Sequence, residues 1–233
     1  MKTPFQARKV EVDGLTTVYR LYEPPQSGGS LPIILFLHGA GESGSNDLLP
    51  TTVGLGRAIS RAPGDWPALV VFPQASRGYG WSAFNLAAAR AALSDVERNY
   101  DVDRRRVYVT GISMGGYGTW LAALLEPERF AAIVPICGGL DASSALRAGA
   151  LTAGTATAAY EQAAKILAPI PQWIFHGDAD TIIPVEESRA MVRALETSGA
   201  KVRYTEYPRV GHDSWYRAYA EEELPRWLFA QRL

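Results

Sequence analysis

The chain contains few of the residues on which several classes of protein depend. Only one of its 233 residues is cysteine and only three are histidine. A single cysteine excludes an internal disulfide framework and a metal site made of a cysteine cluster. Three histidines leave little room for a histidine-rich metal centre. The sequence therefore predicts no metal site, and an enzyme that uses histidine would have only three candidates.

Strong charge of one sign is also missing. The 23 lysines and arginines almost balance the 24 aspartates and glutamates, so the formal net charge is −1. Nucleic acids and anionic membranes favour basic surfaces, and we therefore exclude both as the main partner. The longest apolar runs, at 31–37 and 87–92, are far shorter than the ~20 residues of a membrane-spanning helix. We expect no membrane insertion.

The first residues contain no apolar segment typical of a secretory signal. We therefore expect a cytoplasmic protein, or a secreted one whose signal has already been removed. The composition, 47% hydrophobic and 20% charged, is that of an ordinary globular protein. Nothing in the sequence indicates the oligomeric state.

Strand patterns recur along the chain. Nearly continuous apolar runs predict strands buried on both faces, at 31–37, 68–73, 106–110, 131–136 and 172–175. A hairpin precedes them, with strands 8–12 and 16–22 joined at Asp13-Gly14. The segment 202–207 alternates between polar and apolar residues, which favours a strand near the sheet edge.

Helical patterns separate these strands, at 85–99, 114–125, 186–198 and 215–229, the last with a break near Pro225. Such alternation predicts an α/β fold with a mostly parallel sheet of about eight strands flanked by helices. Because there is no repeat or linker, we expect a single domain over residues 1–233. The segment 142–165 is compatible with a short cap helix or a mobile loop.

The strongest chemical signal is a G-x-S-x-G motif at Gly111–Gly115, which lies between a predicted strand and a predicted helix. This context is typical of a nucleophile elbow, a tight turn that exposes the serine hydroxyl. Glycines on both sides allow neighbouring elements to approach. We therefore predict Ser113 as the nucleophile, the alternative being an ordinary glycine-rich turn.

A serine nucleophile requires a base, and the three histidines differ in their surroundings. His38 and His176 each end a buried strand and precede a glycine, which favours a structural role in the turn. His212 lies in a loop after the last strand, late in the chain, as the order Ser, acid, His requires. We predict His212 as the base, with a surface-loop histidine as the alternative.

The acid is expected after the strand at 172–175, where Asp178 and Asp180 follow. Asp180 lies further along the loop and is placed to reach His212, whereas Asp178 is expected to brace the loop. Asp213 and Glu206 are weaker candidates, because the first is adjacent to the base in sequence and the second lies within a strand.

An oxyanion hole needs two backbone donors. We assign them to Met114, which follows the nucleophile, and to Ala40 in the glycine-rich loop 38–44, with Gly41 as the next choice. That loop lacks the spacing of a nucleotide-binding motif. Expected substrate contacts are Trp81, Tyr117, Gly41 and Glu42, although Trp81 and Tyr117 are equally compatible with core packing.

Four segments together resemble the α/β-hydrolase superfamily: LHGAGE at 37–42, GISMGGYGTW at 111–120, HGDAD at 176–180 and GH at 211–212. Within it the chain is similar to the carboxylesterase, feruloyl-esterase and "predicted peptidase" group related to polyhydroxybutyrate depolymerases. The resemblance implies a triad of Ser113, Asp180 and His212. Two departures are a serine where dienelactone hydrolases have cysteine, and too little inserted chain for the large cap of true lipases.

The resemblance implies a serine carboxylesterase that acts on small-molecule esters without a cofactor. Short-chain or aryl esters, including feruloyl-type esters, are the expected substrates. A serine peptidase of the same fold is the alternative, although no added domain that would form a peptide groove is evident. A non-catalytic binding protein is a third hypothesis, which the intact set of candidate catalytic residues disfavours.

Overall fold

The strands lie side by side in one sheet, close to the positions that the sequence patterns predict. The computed structural model describes residues 4–25, 29–152 and 155–233. Eight strands are found in these ranges: β1 (Phe5–Val12), β2 (Leu15–Tyr22), β3 (Leu31–Leu37), β4 (Leu69–Pro73), β5 (Val102–Ile112), β6 (Ala132–Ile136), β7 (Gln172–Gly177) and β8 (Val202–Tyr207).

The sheet order is β1-β2-β4-β3-β5-β6-β7-β8. β1 and β2 form the antiparallel hairpin, and β2 runs antiparallel to β4. The remaining neighbours are parallel, from β4 through β3 to β8. The predicted, mostly parallel sheet is therefore confirmed, as is the edge position of 202–207.

Helices cover both faces of the sheet: α1 (Gly54–Arg61), α2 (Ala83–Asn99), α3 (Met114–Leu125), α4 (Ala142–Arg147), α5 (Ala156–Leu167), α6 (Glu186–Thr197), α7 (Trp215–Ala218) and α8 (Glu223–Phe229). Helices α2, α3, α5 and α6 bury their apolar residues against one face, and α1, α7 and α8 against the other. In the described residues, none of these helices has both the length and the apolar character to cross a membrane.

One helix, α1, differs from prediction. α1 was not expected, because Gly54 and Gly56 weaken helix propensity. A Cβ at Gly56 would overlap the Thr51 carbonyl, so close packing requires glycine there. The segment 142–165 forms α4 and part of α5, and its residues 153–154 lie outside the described residues.

The predicted helix break near Pro225 is present. It lies between α7 and α8, and Pro225 comes after it in the first turn of α8. Proline is accommodated there because the first-turn N–H groups have no partner within a helix.

The carboxyl ends of the parallel strands all point toward one edge of the sheet. The loops that follow β3, β5, β7 and β8 carry His38, Ser113, Asp180 and His212, respectively. In parallel α/β sheets ligands bind at this edge. The fold therefore brings together side chains that lie far apart in the sequence.

Candidate active site

Ser113 occupies the sharp turn between β5 and α3. Its backbone angles are φ 53° and ψ −118°, a conformation that L-residues rarely adopt. The turn is closely packed, because a Cβ at Gly115 would overlap the Leu37 carbonyl oxygen and one at Gly111 would overlap the Gly115 carbonyl oxygen. This strained serine between a strand and a helix has the geometry of a nucleophile elbow.

A chain of two hydrogen bonds connects Ser113, His212 and Asp180. The His212 Nε2 atom lies 2.8 Å from the Ser113 Oγ, and its Nδ1 atom lies 2.7 Å from the Asp180 Oδ2. The Asp180 side chain is wholly buried, whereas one fifth of the His212 side chain is exposed. The structure thus brings together the three residues that the sequence singles out, although 67 and 32 positions separate them along the chain.

The environment of Asp180 favours its charged form. Its Oδ1 atom accepts hydrogen bonds from the N–H groups of Ile182 (2.8 Å) and Ile183 (2.9 Å), while Oδ2 accepts from His212. Burial on its own would raise the pKa of Asp180, but these donors outweigh it, so the pKa lies below its usual value.

The ionised carboxylate determines how His212 can act. Because Asp180 only accepts hydrogen bonds, the Nδ1 atom of His212 carries the proton that they share. The Nε2 atom of the neutral imidazole is then left with a lone pair, directed at the Ser113 hydroxyl. This arrangement can remove the hydroxyl proton as the oxygen attacks an electrophile.

Backbone N–H groups lie on both sides of Ser113. Ala40 is the first residue of a 3₁₀ turn (Ala40–Glu42), and Met114 is the first residue of α3. Within the described ranges, neither N–H donates to another protein group. The loop of Ala40 adjoins the nucleophile, since a Cβ at Gly39 would lie 3.7 Å from the Ser113 Cβ. Both groups therefore remain available to a bound oxygen atom.

The Glu42 side chain stabilises the loop that contains Ala40. Its carboxylate turns back toward Gly39, which precedes the 3₁₀ turn, in the manner of a capping box. Burial raises the pKa of Glu42, and the backbone N–H groups of Gly39 and Glu42 oppose the shift. The Gln74 side chain donates to the Glu42 carbonyl at 2.7 Å. Neither Glu42 nor Gly41 lines the cavity beside Ser113.

That cavity has a volume of about 630 Å³ and opens beside Ser113 and Met114. Its aromatic and apolar lining consists of Tyr79, Trp81, Met114, Tyr117, Leu121, Leu140, Ala142 and Ile183. Asp141 and Glu187 add two carboxylates, and no lysine or arginine is among its described lining residues. A larger groove between α5 and α6, of about 960 Å³, contains none of the candidate catalytic residues.

Trp81 and Tyr117, the two aromatic residues expected to contact substrate, differ in exposure. Trp81 is only 4% exposed, and its indole N–H donates to the His38 carbonyl at 2.9 Å. Tyr117 is half-buried. Burial, followed by the charges of Glu187, Asp141 and Asp180, raises the pKa of the Tyr117 hydroxyl to about 12. Tyr117 thus presents a neutral hydroxyl group to the cavity.

The other acids and the cysteine have structural partners. Asp178 accepts the Arg209 N–H, and Glu206 forms an ion pair with Arg189 at 2.6 Å. Cys137 is completely buried behind the site, where burial raises the pKa of its thiol to about 12. The predicted loop-bracing role of Asp178 and the packing role of Cys137 are confirmed.

His38 braces the end of β3, as its position before Gly39 predicts. Its Nδ1–H donates to the Gly39 carbonyl at 2.6 Å, and its Nε2 accepts the Ala75 N–H at 2.9 Å. The ring is completely buried and can satisfy both contacts only when neutral. Burial lowers the pKa of His38 to about 4, although the bond to Gly39 opposes the shift.

This neutral histidine makes stability depend on pH. Below the ordinary histidine pKa, His38 is protonated in the unfolded chain but stays neutral in the folded protein. Acid therefore favours unfolding. From pH 7 to pH 5 we expect His38 to lower the free energy of unfolding by about 2 kcal/mol. Urea unfolding at both pH values should therefore show a smaller acid loss for His38→Gln than for the wild type. Equal losses in the two proteins would contradict the assignment.

The contacts of His176 were not predicted from the sequence. The residue was expected only to brace the end of β7, yet its Nε2 atom lies 3.2 Å from the Asp180 Oδ2. The only signal available in the sequence was the short spacing between His176 and Asp180. Glu187 was missed because it approaches the cavity from α6, which follows the loop of Asp180.

Known proteins match both the sequence and the fold. A solved thermostable esterase has 33% identity and a TM-score of 0.82, covering 99% of this chain and 64% of that one. The putative esterase NocK of Nocardia uniformis subsp. tsuyamanensis is 28% identical over 77% of this chain and 50% of its own length. A poly(3-hydroxybutyrate) depolymerase of Ralstonia pickettii is 27% identical over 59% of this chain and 31% of its own length.

The chain thus spans half or less of the length of these curated relatives. A model of the prolyl oligopeptidase family matches residues 86–231, which is more than half of the chain and includes Ser113, Asp180 and His212. The resemblance inferred from the four sequence segments is confirmed. The chain belongs to the prolyl oligopeptidase family, and it has the α/β-hydrolase fold that the solved esterase shares.

Proposed function

We propose that the protein hydrolyses carboxylic esters of short-chain or aryl acids through an acyl-enzyme formed on Ser113. The observation that carries the proposal is the 2.8 Å contact between the His212 Nε2 atom and the Ser113 hydroxyl, with His212 held from behind by Asp180. A serine hydroxyl is a weak nucleophile unless a base removes its proton, and this contact supplies the base.

In this mechanism His212 takes the Ser113 proton as the oxygen attacks the ester carbonyl. The N–H groups of Ala40 and Met114 hold the negative oxygen of the tetrahedral intermediate. His212 then gives its proton to the departing alcohol, which leaves the acyl group on Ser113. Water, activated by the same imidazole, hydrolyses this ester and restores the serine. Asp180 stabilises the positive charge that His212 carries between these steps.

The cavity beside Ser113 supports a neutral acyl or aryl group as the preferred substituent. Its walls combine aromatic and apolar side chains with serine hydroxyls, and its volume of about 630 Å³ falls within the usual range for small-molecule sites. The carboxylates of Asp141 and Glu187 would repel an anionic substituent, and no lining cation offsets them among the described residues. Feruloyl-type esters are therefore included as candidate substrates.

The family also contains peptidases, as its name states, so a serine peptidase is the alternative. Hydrolysis of an amide demands efficient protonation of a poor leaving group and usually an extended binding groove. The cavity at Ser113 is small enough to favour the ester, and the similar esterase and depolymerase support the same choice.

The proposal is tested with p-nitrophenyl esters of increasing acyl length, methyl ferulate, a p-nitrophenyl ester ending in a carboxylate, and aminoacyl p-nitroanilides. We expect turnover of the neutral esters, a lower kcat/KM for the carboxylate ester, and little or no cleavage of the anilides. For substrates whose deacylation is much slower than their acylation, stopped-flow measurements should reveal a burst of p-nitrophenol equal to the enzyme concentration.

Faster cleavage of the anilides than of every ester would establish the peptidase instead. The absence of turnover of all substrates, together with no labelling by a fluorophosphonate, would contradict the hydrolytic mechanism. A preference for the carboxylate ester would contradict only the assignment of a neutral acyl group.

A further inference from the structure

His176 is a second histidine that contacts the acid of the proposed triad, at the same carboxylate oxygen as His212. It lies at the end of β7 and is completely buried. Its Nδ1 atom is 2.7 Å from the hydroxyl of Ser188 on α6, and its Nε2 atom is 3.0 Å from the Ile183 carbonyl and 3.2 Å from the Asp180 Oδ2. Ser188 is also completely buried.

These contacts determine the tautomer of His176. The Ile183 carbonyl and the ionised Asp180 can only accept, so the proton must be on Nε2. Nδ1 then has a lone pair, and the Ser188 hydroxyl is the donor that it meets. Burial lowers the pKa of His176, whereas its contacts with Ile183 and Asp180 oppose the shift, so the ring is neutral near pH 7.

His176 acts on Asp180 in two ways. Its N–H bonds the Ile183 carbonyl, and the N–H of the same Ile183 donates to the Asp180 Oδ1. The positive end of the same His176 N–H dipole also faces the Asp180 Oδ2, which is the oxygen that binds His212. His176 therefore influences both the position of the carboxylate and the charge that it presents.

We propose that Ser188 and His176 are positioning residues for the reaction, extending the Ser113–His212–Asp180 chain to five side chains. The Ser188 hydroxyl fixes the tautomer of His176, and His176 holds Asp180 in the orientation that His212 requires. This inference rests on the proposed function, because it assigns Asp180 the role of catalytic acid partner.

Other titratable groups also face this cluster. Glu206 on β8 is the register partner of His176, but it is ion-paired with Arg189 of α6. The charge of Asp180 acts on Cys137, which follows β6, and on Tyr117 of α3, and the charge of Asp213, beside the base, acts on Cys137. All of them remain unchanged when His176 or Ser188 is replaced, so a shift in pH dependence can be compared directly among the variants.

The test compares His176→Leu, His176→Gln and Ser188→Ala with the wild type. Leucine removes the donor, whereas the glutamine amide can place an N–H where the imidazole Nε2 was. For His176→Leu we expect kcat to fall about 10-fold or more with little change in KM, as for the loss of a partner that orients an active-site ligand. Glutamine should restore most of kcat, and Ser188→Ala should have a smaller effect in the same direction.

The pH profile provides a readout that simple bracing would not change. Without the His176 N–H, the Asp180 Oδ2 presents more negative charge to His212 and holds its protonated form more strongly. The acidic limb of the kcat/KM profile should therefore move to higher pH in His176→Leu. In His176→Gln it should lie close to its wild-type position. The downfield proton resonance of the His212 Nδ1–H should change in parallel, and this signal requires no substrate.

Gln172→Leu is the matched control, since Gln172 is buried in the same strand and bonds Trp120 and Leu167 far from Ser113. It should lower stability and leave kcat and the pH profile unchanged. If His176→Leu behaves like this control, His176 is only a structural brace and the positioning role is overturned. Failure of the wild type to react with a fluorophosphonate would instead remove the proposed function, whatever the His176 variants show.

Discussion

Replacing Ser113 with alanine is expected to reduce kcat/KM for p-nitrophenyl esters by about 10⁴- to 10⁶-fold. The variant retains the fold, because alanine occupies the same strained turn and removes only the hydroxyl. It loses the atom that forms the acyl-enzyme, so the burst of p-nitrophenol disappears as well. The remaining activity would come from substrate binding and the oxyanion donors, which accelerate attack by water.

Covalent labelling by a fluorophosphonate measures the reactivity of Ser113 without a substrate. The wild type should be labelled once, and Ser113→Ala should not be labelled. Ser60→Ala is a suitable control, because the Ser60 hydroxyl bonds the Gly56 carbonyl within α1 and has no contact with the site. Labelling of Ser113→Ala at the wild-type rate would place the nucleophile on another residue.

The sequence could predict the residues of the site because their chemistry and order are unusual. With three histidines in the chain, the late loop position of His212 left little competition for the role of base. The G-x-S-x-G turn is local, so its strand, serine and helix are all readable from adjacent residues. The parallel sheet then brings the three side chains together, because it aligns the loops after β5, β7 and β8.

Other parts of the site depend on packing between elements and have no local pattern. Glu187 approaches the cavity from α6, and His176 reaches Asp180 only because the loop between them folds back. Trp81 lines the cavity beside Ser113, but no local pattern indicates that its indole N–H donates to the His38 carbonyl. Helix α1 was missed for the same reason, since its glycines reflect tight contacts, of Gly56 with Thr51 and of Gly54 with Phe36, and not a lack of structure.

Gly115→Ala is expected to have the largest effect on stability. A methyl group at this position would overlap the Leu37 carbonyl oxygen and lie 2.8 Å from the His38 carbonyl oxygen. Both contacts are with backbone at the end of a central strand, so no side chain can rotate away. To relieve the overlap, α3 must move away from β3, which separates Ser113 from the loop of Ala40. We expect a loss of more than about 4 kcal/mol in the free energy of unfolding.

Gly64→Ala is the matched control, because a Cβ there meets no atom within 4 Å and the residue does not require a positive φ. Its stability should equal that of the wild type or exceed it by up to about 1 kcal/mol, through the lower entropy of the unfolded chain. Urea unfolding followed by tryptophan fluorescence measures both variants. A wild-type midpoint for Gly115→Ala would mean that the turn can widen without cost, and the close packing of the nucleophile elbow would then not be what fixes the position of Ser113.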